Sequence, residues 1–390
     1  MNTSVKHSEN TKLKIILIGN YAKDKQMSME LFANLLRNGY INAGNQAVIW
    51  RPPVVFGRLS SNTLNGFGKW LAYIDKWLIF PILILLKRCF PANRKFNVRF
   101  HICDHSNVIY LPYLPNHKTV VTCHDVLAIR GALGHKDAYC EASSFGIILQ
   151  HWILGGLVRA KKLAAVSATT LKQLNELDKS ANYKRCDRRQ VLNAFNESFQ
   201  PVPKQDALRV LSIGGVDVKE PFLLHIGSSL PRKNRKLLID MLELLQGNWN
   251  GKVVLAGQEI DPELYYRIQQ KNLKDRVLMV KRPNYDMLNA LYSACDAFVF
   301  PSYSEGFGWP IIEAQACGAP VIASNIEPIP EVAGGAALHC NPDSPSEFVE
   351  AFKTLSNEKL KSELVQKGFV NCNRFKPERM IQEYLEFHII

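Results

Sequence analysis

Short apolar runs alternate with amphipathic stretches along most of this chain. Leu13–Ile18 is hydrophobic but for Lys14 and ends at Gly19; after the polar loop Asn20–Ser28, Met29–Leu36 carries apolar residues at helical spacing. The same unit recurs. Gln46–Arg51, Thr119–Cys123 and Leu163–Val166 read as strands in the first half, and Phe222–Ile226, Val253–Ala256, Val277–Val280 and Ala297–Phe300 in the second. Such runs suit parallel strands covered by helices on both faces. Ala138–Ala160, the segment opened by Ser167 with Leu171, Leu174 and Leu177, Lys236–Leu245, Met287–Cys295 and two stretches between Pro345 and Asn373 read as helices. The class is α/β, with two Rossmann-like halves. Residues 201–220, mixing prolines, glycines and charges, read as a linker between domains of residues 1–200 and 221–375.

Two passages depart from this rhythm. Between Gly66 and Arg88 the apolar run Trp77–Leu86 is too short to span a bilayer and is interrupted by Pro81. It suits either a core helix or a helix lying in a membrane interface, with Trp70, Trp77 and Phe80 as anchors and Lys76, Lys87 and Arg88 near anionic lipid phosphates. In His101–Leu111, a strand would put His101, Cys103 and His105 on one face. No fourth ligand is evident, so no metal site is expected there.

Composition narrows the partners. With 390 residues, 47% of them hydrophobic, the chain can bury two ordinary domains. Lys and Arg outnumber Asp and Glu by 48 to 35, a formal charge of +13 that favours an acidic partner. The cations are spread widely and no nucleic-acid module is present, so a phosphorylated ligand or an anionic membrane is preferred to nucleic acid. The nine cysteines form no C-x-x-C pair and read as reduced thiols. The polar N-terminus lacks the apolar centre of a signal peptide, and the expected location is the cytoplasm, peripheral to the inner face of a membrane if the Trp70–Arg88 helix is interfacial. Gly19 is not followed by the G-x-G-x-x-G pattern, which disfavours NAD.

Candidate chemistry concentrates at Ser302–Ala323, SYSEGFGWPIIEAQACGAPVIA, read as the end of a strand, a glycine loop and a helix. Gly306 and Gly308 let a ligand approach the backbone, Pro310 suits a first helical turn, and the helix N-terminus favours phosphate. Glu305 lies in the loop, and Glu313 in the first turn can accept hydrogen bonds from a ribose diol. A second strand-to-helix turn, GSSLPRKN from Gly227 to Asn234, offers Arg232 and Lys233 to a diphosphate. His124 stands at the carboxyl end of the Thr119–Cys123 strand, where open α/β sheets bind ligands.

The string from Glu305 to Ala323 resembles the E-x7-E mark of the retaining GT-B glycosyltransferases of family four, through Glu305, Gly306, Phe307, Gly308, Pro310, Glu313, Ala314, Ala316, Gly318, Pro320, Val321, Ile322 and Ala323. V-V-T-C-H-D ending at Asp125 and V-S-x-x-T from Val166 to Thr170 extend the resemblance into the first half. It implies two Rossmann-like domains facing across a cleft, with residues 376–390 crossing back to the first domain through Phe387, Ile389 and Ile390. It implies a sugar donor bound as a nucleoside diphosphate, UDP or GDP, without a metal or other cofactor; the basic balance and the Trp70–Arg88 segment point to a lipid-linked or polysaccharide glycan as acceptor. Glu305 and His124 would contact the sugar, Glu313 the ribose, and Arg232, Lys233 and Gly227 the phosphates. Gly306, Phe307 and Gly308 would line the donor site, and Gly19 and Asn20 the cleft. Ser228 replaces an arginine found in some members, and L-N-A-F-N around Asn193 replaces P-N-G-V-D. A sugar-nucleotide epimerase or hydrolase of related fold, and a non-catalytic membrane-docking homologue, are the other readings.

Overall fold

Six parallel strands form the first sheet: β1 (Leu13–Ile18), β2 (Gln46–Trp50), β3 (Asn97–Ile102), β4 (Thr119–Cys123), β5 (Lys162–Ala165) and β6 (Asp187–Gln190), in the order β2-β1-β3-β4-β5-β6. The second comprises β7 (Phe222–Gly227), β8 (Lys252–Gly257), β9 (Val277–Lys281), β10 (Ala297–Phe300), β11 (Val321–Ser324) and β12 (Leu338–Cys340), in the order β12-β11-β10-β7-β8-β9. This computed structural model describes residues 12–63, 65–89, 97–179 and 186–389. β4 and β10 are buried at every position, as their continuous apolar sequences require.

Helices cover both faces of each sheet. The first domain carries α1 (Met27–Asn42), α2 (Gly66–Ile74), α3 (Phe80–Cys89), α4 (Leu127–Ala132), α5 (Ser144–Arg159) and α6 (Ala168–Leu177). The second carries α7 (Lys204–Ile213), α8 (Arg235–Leu244), α9 (Pro262–Gln270), α10 (Tyr285–Ala294), α11 (Trp309–Ala316), α12 (Ile329–Ala333), α13 (Pro345–Thr354) and α14 (Glu358–Cys372). Two facing Rossmann-like domains make this a GT-B fold. Within the expected linker, α7 buries Ala207 and Leu211 in the core of the second domain, so that stretch is not an open connector.

The last helix, α15 (Pro377–Ile389), returns to the first domain. Met380, Ile381, Tyr384 and Phe387 pack with Phe32, Leu36 and Tyr40 of α1. The Tyr384 hydroxyl lies 2.8 Å from Thr122 Oγ1 on β4, and Lys162 Nζ donates to the Phe387 carbonyl at 3.1 Å. Ile389, expected to dock with Phe387, is instead exposed, and Ile390 lies outside the described residues.

Several local expectations are corrected. β3 stops at Ile102 and a 3-10 helix follows over His105–Tyr113, so His101, Cys103 and His105 do not share a strand face. His101 is buried, with Nδ1 3.0 Å from the Tyr40 hydroxyl and Nε2 2.8 Å from Thr122 Oγ1. α5 starts at Ser144 rather than Ala138, because Tyr139 takes a left-handed φ of 49° and Ser143 caps the helix by accepting from the Gly146 N–H.

Residues 66–89 form one helical run in which α2 and α3 are joined by a π-helical turn, Asp75–Ile79. The turn carries the buried Asp75 carboxylate, which accepts the N–H groups of Val55, Phe56 and Gly57 at 2.9–3.0 Å and the Tyr21 hydroxyl at 2.8 Å. Phe80 is fully buried against Tyr110, so it cannot anchor the protein to a membrane. Lys76 pairs with Asp24 at 3.0 Å and Arg88 donates to the Tyr113 carbonyl. The exposed apolar residues of the run are Phe67, Trp70, Leu78, Ile82, Leu85 and Leu86. No helix among the described residues is long and apolar enough to cross a membrane.

Candidate active site

The domains meet at the loop between β10 and α11. Gly308 takes φ 109°, a left-handed value that a side chain would strain, and turns the chain into α11 with Pro310 in its first turn. Phe307, expected among the ligand-binding residues, instead places its ring in the core against Trp309 and Phe375 and supports the loop from within.

Glu305 is held between two cations. Its Oε1 lies 2.6 Å from Lys233 Nζ and its Oε2 2.8 Å from Arg232 NH1, which also donates to the Ser304 carbonyl at 2.9 Å. The carboxylate side chain is only 7% exposed. Burial pushes its carboxyl up, but Lys233 and Arg232 outweigh that effect and hold the pKa below the ordinary range. Burial lowers the Lys233 ammonium despite Glu305 beside it. Both cations come from the turn Pro231–Lys233 after β7. Asn234, at φ 52°, redirects the chain into α8 while its amide donates to the Pro301 and Pro342 carbonyls at 3.2 and 2.8 Å. Gly227 leaves room for the lysine stem: a β-carbon there would lie 3.2 Å from His225 Nε2 and 3.5 Å from Lys233 Cδ.

Glu313, in α11, accepts the Tyr292 hydroxyl on Oε2 at 2.8 Å. Burial pushes its carboxyl up to about 7 against the opposing effect of that hydrogen bond. A folded-state pKa above the ordinary carboxylate value means that folding favours the protonated form, and the cost of ionising Glu313 grows as pH rises toward 7. A ligand whose hydroxyls donate to Glu313, as a ribose diol would, favours the ionised form instead. Binding of such a ligand is therefore expected to strengthen from about pH 6 to about pH 7 and level off above, with release of a proton. Titration calorimetry in buffers of different ionisation enthalpy reads this directly, and Glu313→Gln should remove both effects.

The first domain supplies the opposite wall. His124 is buried, its ring edge-on to Phe32 at 4.7 Å, and its Nε2 donates to the Cys103 carbonyl at 2.9 Å. That carbonyl can only accept, so in the neutral ring Nδ1 is the acceptor, and it has no protein partner. Burial keeps the imidazole pKa below its ordinary value. A β-carbon on Gly306 would run into the His124 carbonyl, which brings the Glu305 loop against the His124 backbone. Nearby, Tyr139 stacks on Tyr303 at 4.9 Å across the domain boundary.

Gly19 and Asn20 play more local parts than expected. The Gly19 N–H is committed to the Trp50 carbonyl at 2.9 Å. The Asn20 amide donates to Asp104 Oδ2 at 2.5 Å and to Gln26, and its oxygen accepts from Asn107 Nδ2 at 3.0 Å. Burial opposes the Asp104 charge, but His105, His124 and Asn20 outweigh it and lower the pKa. Asp104 and Asn107 went unnoticed in the sequence because the strand reading continued through them; the D-x-S signal, in which Asp104 accepts the Ser106 N–H at 2.9 Å, marks the true strand end.

A family model described as glycosyl transferases group 1 matches residues 211–369. The chain is 30% identical over 332 residues to O-antigen chain mannosyltransferase B of Escherichia coli, covering 82% of each chain. It belongs to the group 1 glycosyltransferases. This glycosyltransferase is also 27% identical over 316 residues to the O-antigen chain mannosyltransferase RfbU of Salmonella typhimurium, covering 81% of its own length and 78% of that relative. Its fold matches sucrose-phosphate synthase from Thermosynechococcus elongatus with a TM-score of 0.73 and 19% identity, over 97% of this chain and 98% of that one. The glycosyltransferase is thus a hexosyltransferase-type enzyme of GT-B fold.

Proposed function

We propose that the enzyme moves mannose from a nucleoside diphosphate mannose to a hydroxyl of a lipid-linked or polysaccharide glycan, with retention of anomeric configuration and no metal. The observation that carries this reading is the Glu305 carboxylate seated on Arg232 and Lys233, where a diphosphate needs cations and a neighbouring sugar needs an acceptor. Mannose as the sugar rests on relatives named as O-antigen chain mannosyltransferases.

On donor arrival the diphosphate takes Arg232 and Lys233, and Glu305 is released toward the sugar. The bond from the anomeric carbon to the phosphate oxygen then breaks, and the growing charge on the leaving group is stabilised by the two cations and the N-terminus of α11. The acceptor oxygen bonds to the anomeric carbon on the same face, and its proton passes to the leaving diphosphate. No protein base is required. His124 Nδ1, lacking a partner, is suited to accept a sugar hydroxyl.

Titration of the purified protein with UDP, GDP and ADP, each in chelator, tests the donor site. Micromolar binding of one nucleotide by the wild type, weakened about 100-fold or more in Lys233→Ala, is the expected result, a loss in keeping with a buried charge-assisted contact. Binding by none of the three, in folded protein, would remove the donor reading.

The acceptor side extends to a membrane in this proposal. Trp70 and Trp77 pack against Phe145 and Trp152 of α5, so the exposed residues of α2 and α3 run on into exposed Ile148 and Trp152 as one apolar surface. With the chain's charge of +13, that surface suits an anionic bilayer. Replacing both Phe67 and Leu86 by Glu should abolish sedimentation with anionic phospholipid vesicles and leave nucleotide binding intact; unchanged sedimentation would sink this arm.

A further inference from the structure

The V-S-x-x-T passage has no part in the chemistry above, yet it makes a direct polar contact between the domains. Ser167 precedes α6 and is fully buried; Thr170 lies in the first turn and is 2% exposed. Ser167 Oγ accepts the Thr170 N–H at 3.1 Å, which is all that helix capping asks of it. A hydroxyl has a proton left to give. Ser167 Oγ lies 2.9 Å from the Gly306 carbonyl and 3.0 Å from Thr170 Oγ1, and Thr170 Oγ1 approaches the same carbonyl at 3.3 Å, so the Gly306 oxygen accepts from this hydroxyl pair whichever of its members Ser167 serves.

Gly306 is the residue after Glu305, so these two hydroxyls of the first domain act on the peptide adjoining the carboxylate that serves the second. The contact is backed on both sides. The Gly306 α-carbon abuts the His124 carbonyl, with no room for a side chain. Glu331 of α12 reaches across to accept the Ala168 N–H on both carboxylate oxygens, at 3.0 and 3.1 Å, and also takes a hydrogen bond from Gln190. The start of α6 is therefore tied to the second domain at two successive residues.

From this geometry we infer that Ser167 and Thr170 are positioning residues. They hold the Glu305 loop in register with His124 when the domains are closed, so that Glu305, once freed from its cations, meets the sugar rather than solvent. The inference rests on the donor reading proposed above for the role of Glu305, but not for the existence of the latch. Loss of the two hydroxyls should leave the phosphate cations where they are, because Arg232 and Lys233 belong wholly to the second domain, and should act on turnover instead.

The test uses the full-length protein with Ser167→Gly and Thr170→Val together. Glycine retains most of the capping stability while removing the hydroxyl, and valine keeps the shape of threonine. The probes are UDP and GDP for binding, and the mannose diphosphate of whichever binds for turnover. Nucleotide affinity and donor KM should be little changed, kcat should fall by about tenfold or more, and backbone amides 303–309 should exchange hydrogen by about tenfold faster, as expected for two lost hydrogen bonds. Ser167→Thr, which keeps the donor, should restore kcat. Unchanged exchange and kcat would overturn the inference, as would a parallel loss of affinity, kcat and melting temperature, which marks a merely structural role. If the wild type binds none of UDP, GDP and ADP, the donor reading fails while the exchange measurement still decides the latch.

Discussion

Glu305→Gln is expected to lower donor turnover by about 100- to 1,000-fold while tightening nucleoside diphosphate binding. The two effects have opposite signs because, in the proposed reaction, the carboxylate would do two things at different times. In the free enzyme it neutralises Arg232 and Lys233 from 2.8 and 2.6 Å, so an incoming diphosphate competes with it for both cations. A neutral amide competes far less, and affinity rises. In the transfer proposed above the sugar would need the carboxylate, which the amide cannot replace. Breaking a buried pair by removing one partner costs about 3–5 kcal/mol, so the variant should also melt earlier and be rescued by nucleotide more strongly than the wild type. Calorimetry and turnover on the same preparation read both signs; a loss of affinity in Glu305→Gln would contradict the competition.

A second large effect on stability is expected at Asp75. Asp75→Ala leaves three N–H groups at Val55, Phe56 and Gly57 without their acceptor, and the Tyr21 hydroxyl without its own. Such losses in a buried setting sum to at least about 3 kcal/mol. The pH dependence follows from the direction of the shift. Burial raises the Asp75 carboxyl, but the N–H groups and Tyr21 outweigh it, and its folded pKa lies below the ordinary value. Its stabilisation is therefore present in full above the unfolded carboxylate pKa and is lost as pH falls through the folded one. Urea unfolding at neutral and acid pH, with hydrogen exchange at residues 55–57, measures this; a variant as stable as the wild type at neutral pH would refute the role given to the π turn.

Much of the architecture was readable because parallel strands buried on both faces leave continuous apolar runs, as in Val120, Val121 and Cys123 or Phe298, Val299 and Phe300. The carboxylates of the glycine loop and the cations of the preceding turn were also readable one at a time. Their joining was not, since Arg232 and Lys233 stand 73 and 72 residues from Glu305 in the chain. The contact of Asn20 with Asp104 was hidden in the same way, the two standing 84 residues apart. The run from Gly66 to Cys89 defeated pattern reading for another reason. Apolar residues occupy most of its sides, and which are covered depends on elements far along the sequence: Tyr110 buries Phe80, while Leu78 faces outward. Phe307 shows the limit of motif reading, since a residue inside a ligand-binding string can be there to hold the string in shape.

The return of α15 has a consequence for synthesis on the ribosome. The face of the first sheet lined by Phe32, Leu36, Tyr40, His101 and Thr122 is covered only when Met380, Ile381, Tyr384 and Phe387 arrive. Those four residues are translated after the whole second domain. The half of the protein that emerges first must wait, with an open apolar face, until residues 380–387 have cleared the exit tunnel, so its exposure to aggregation and proteolysis outlasts synthesis of the second domain. A chain ended just before α15 would carry Arg232, Lys233, Glu305 and Glu313 and still leave its first domain unfinished.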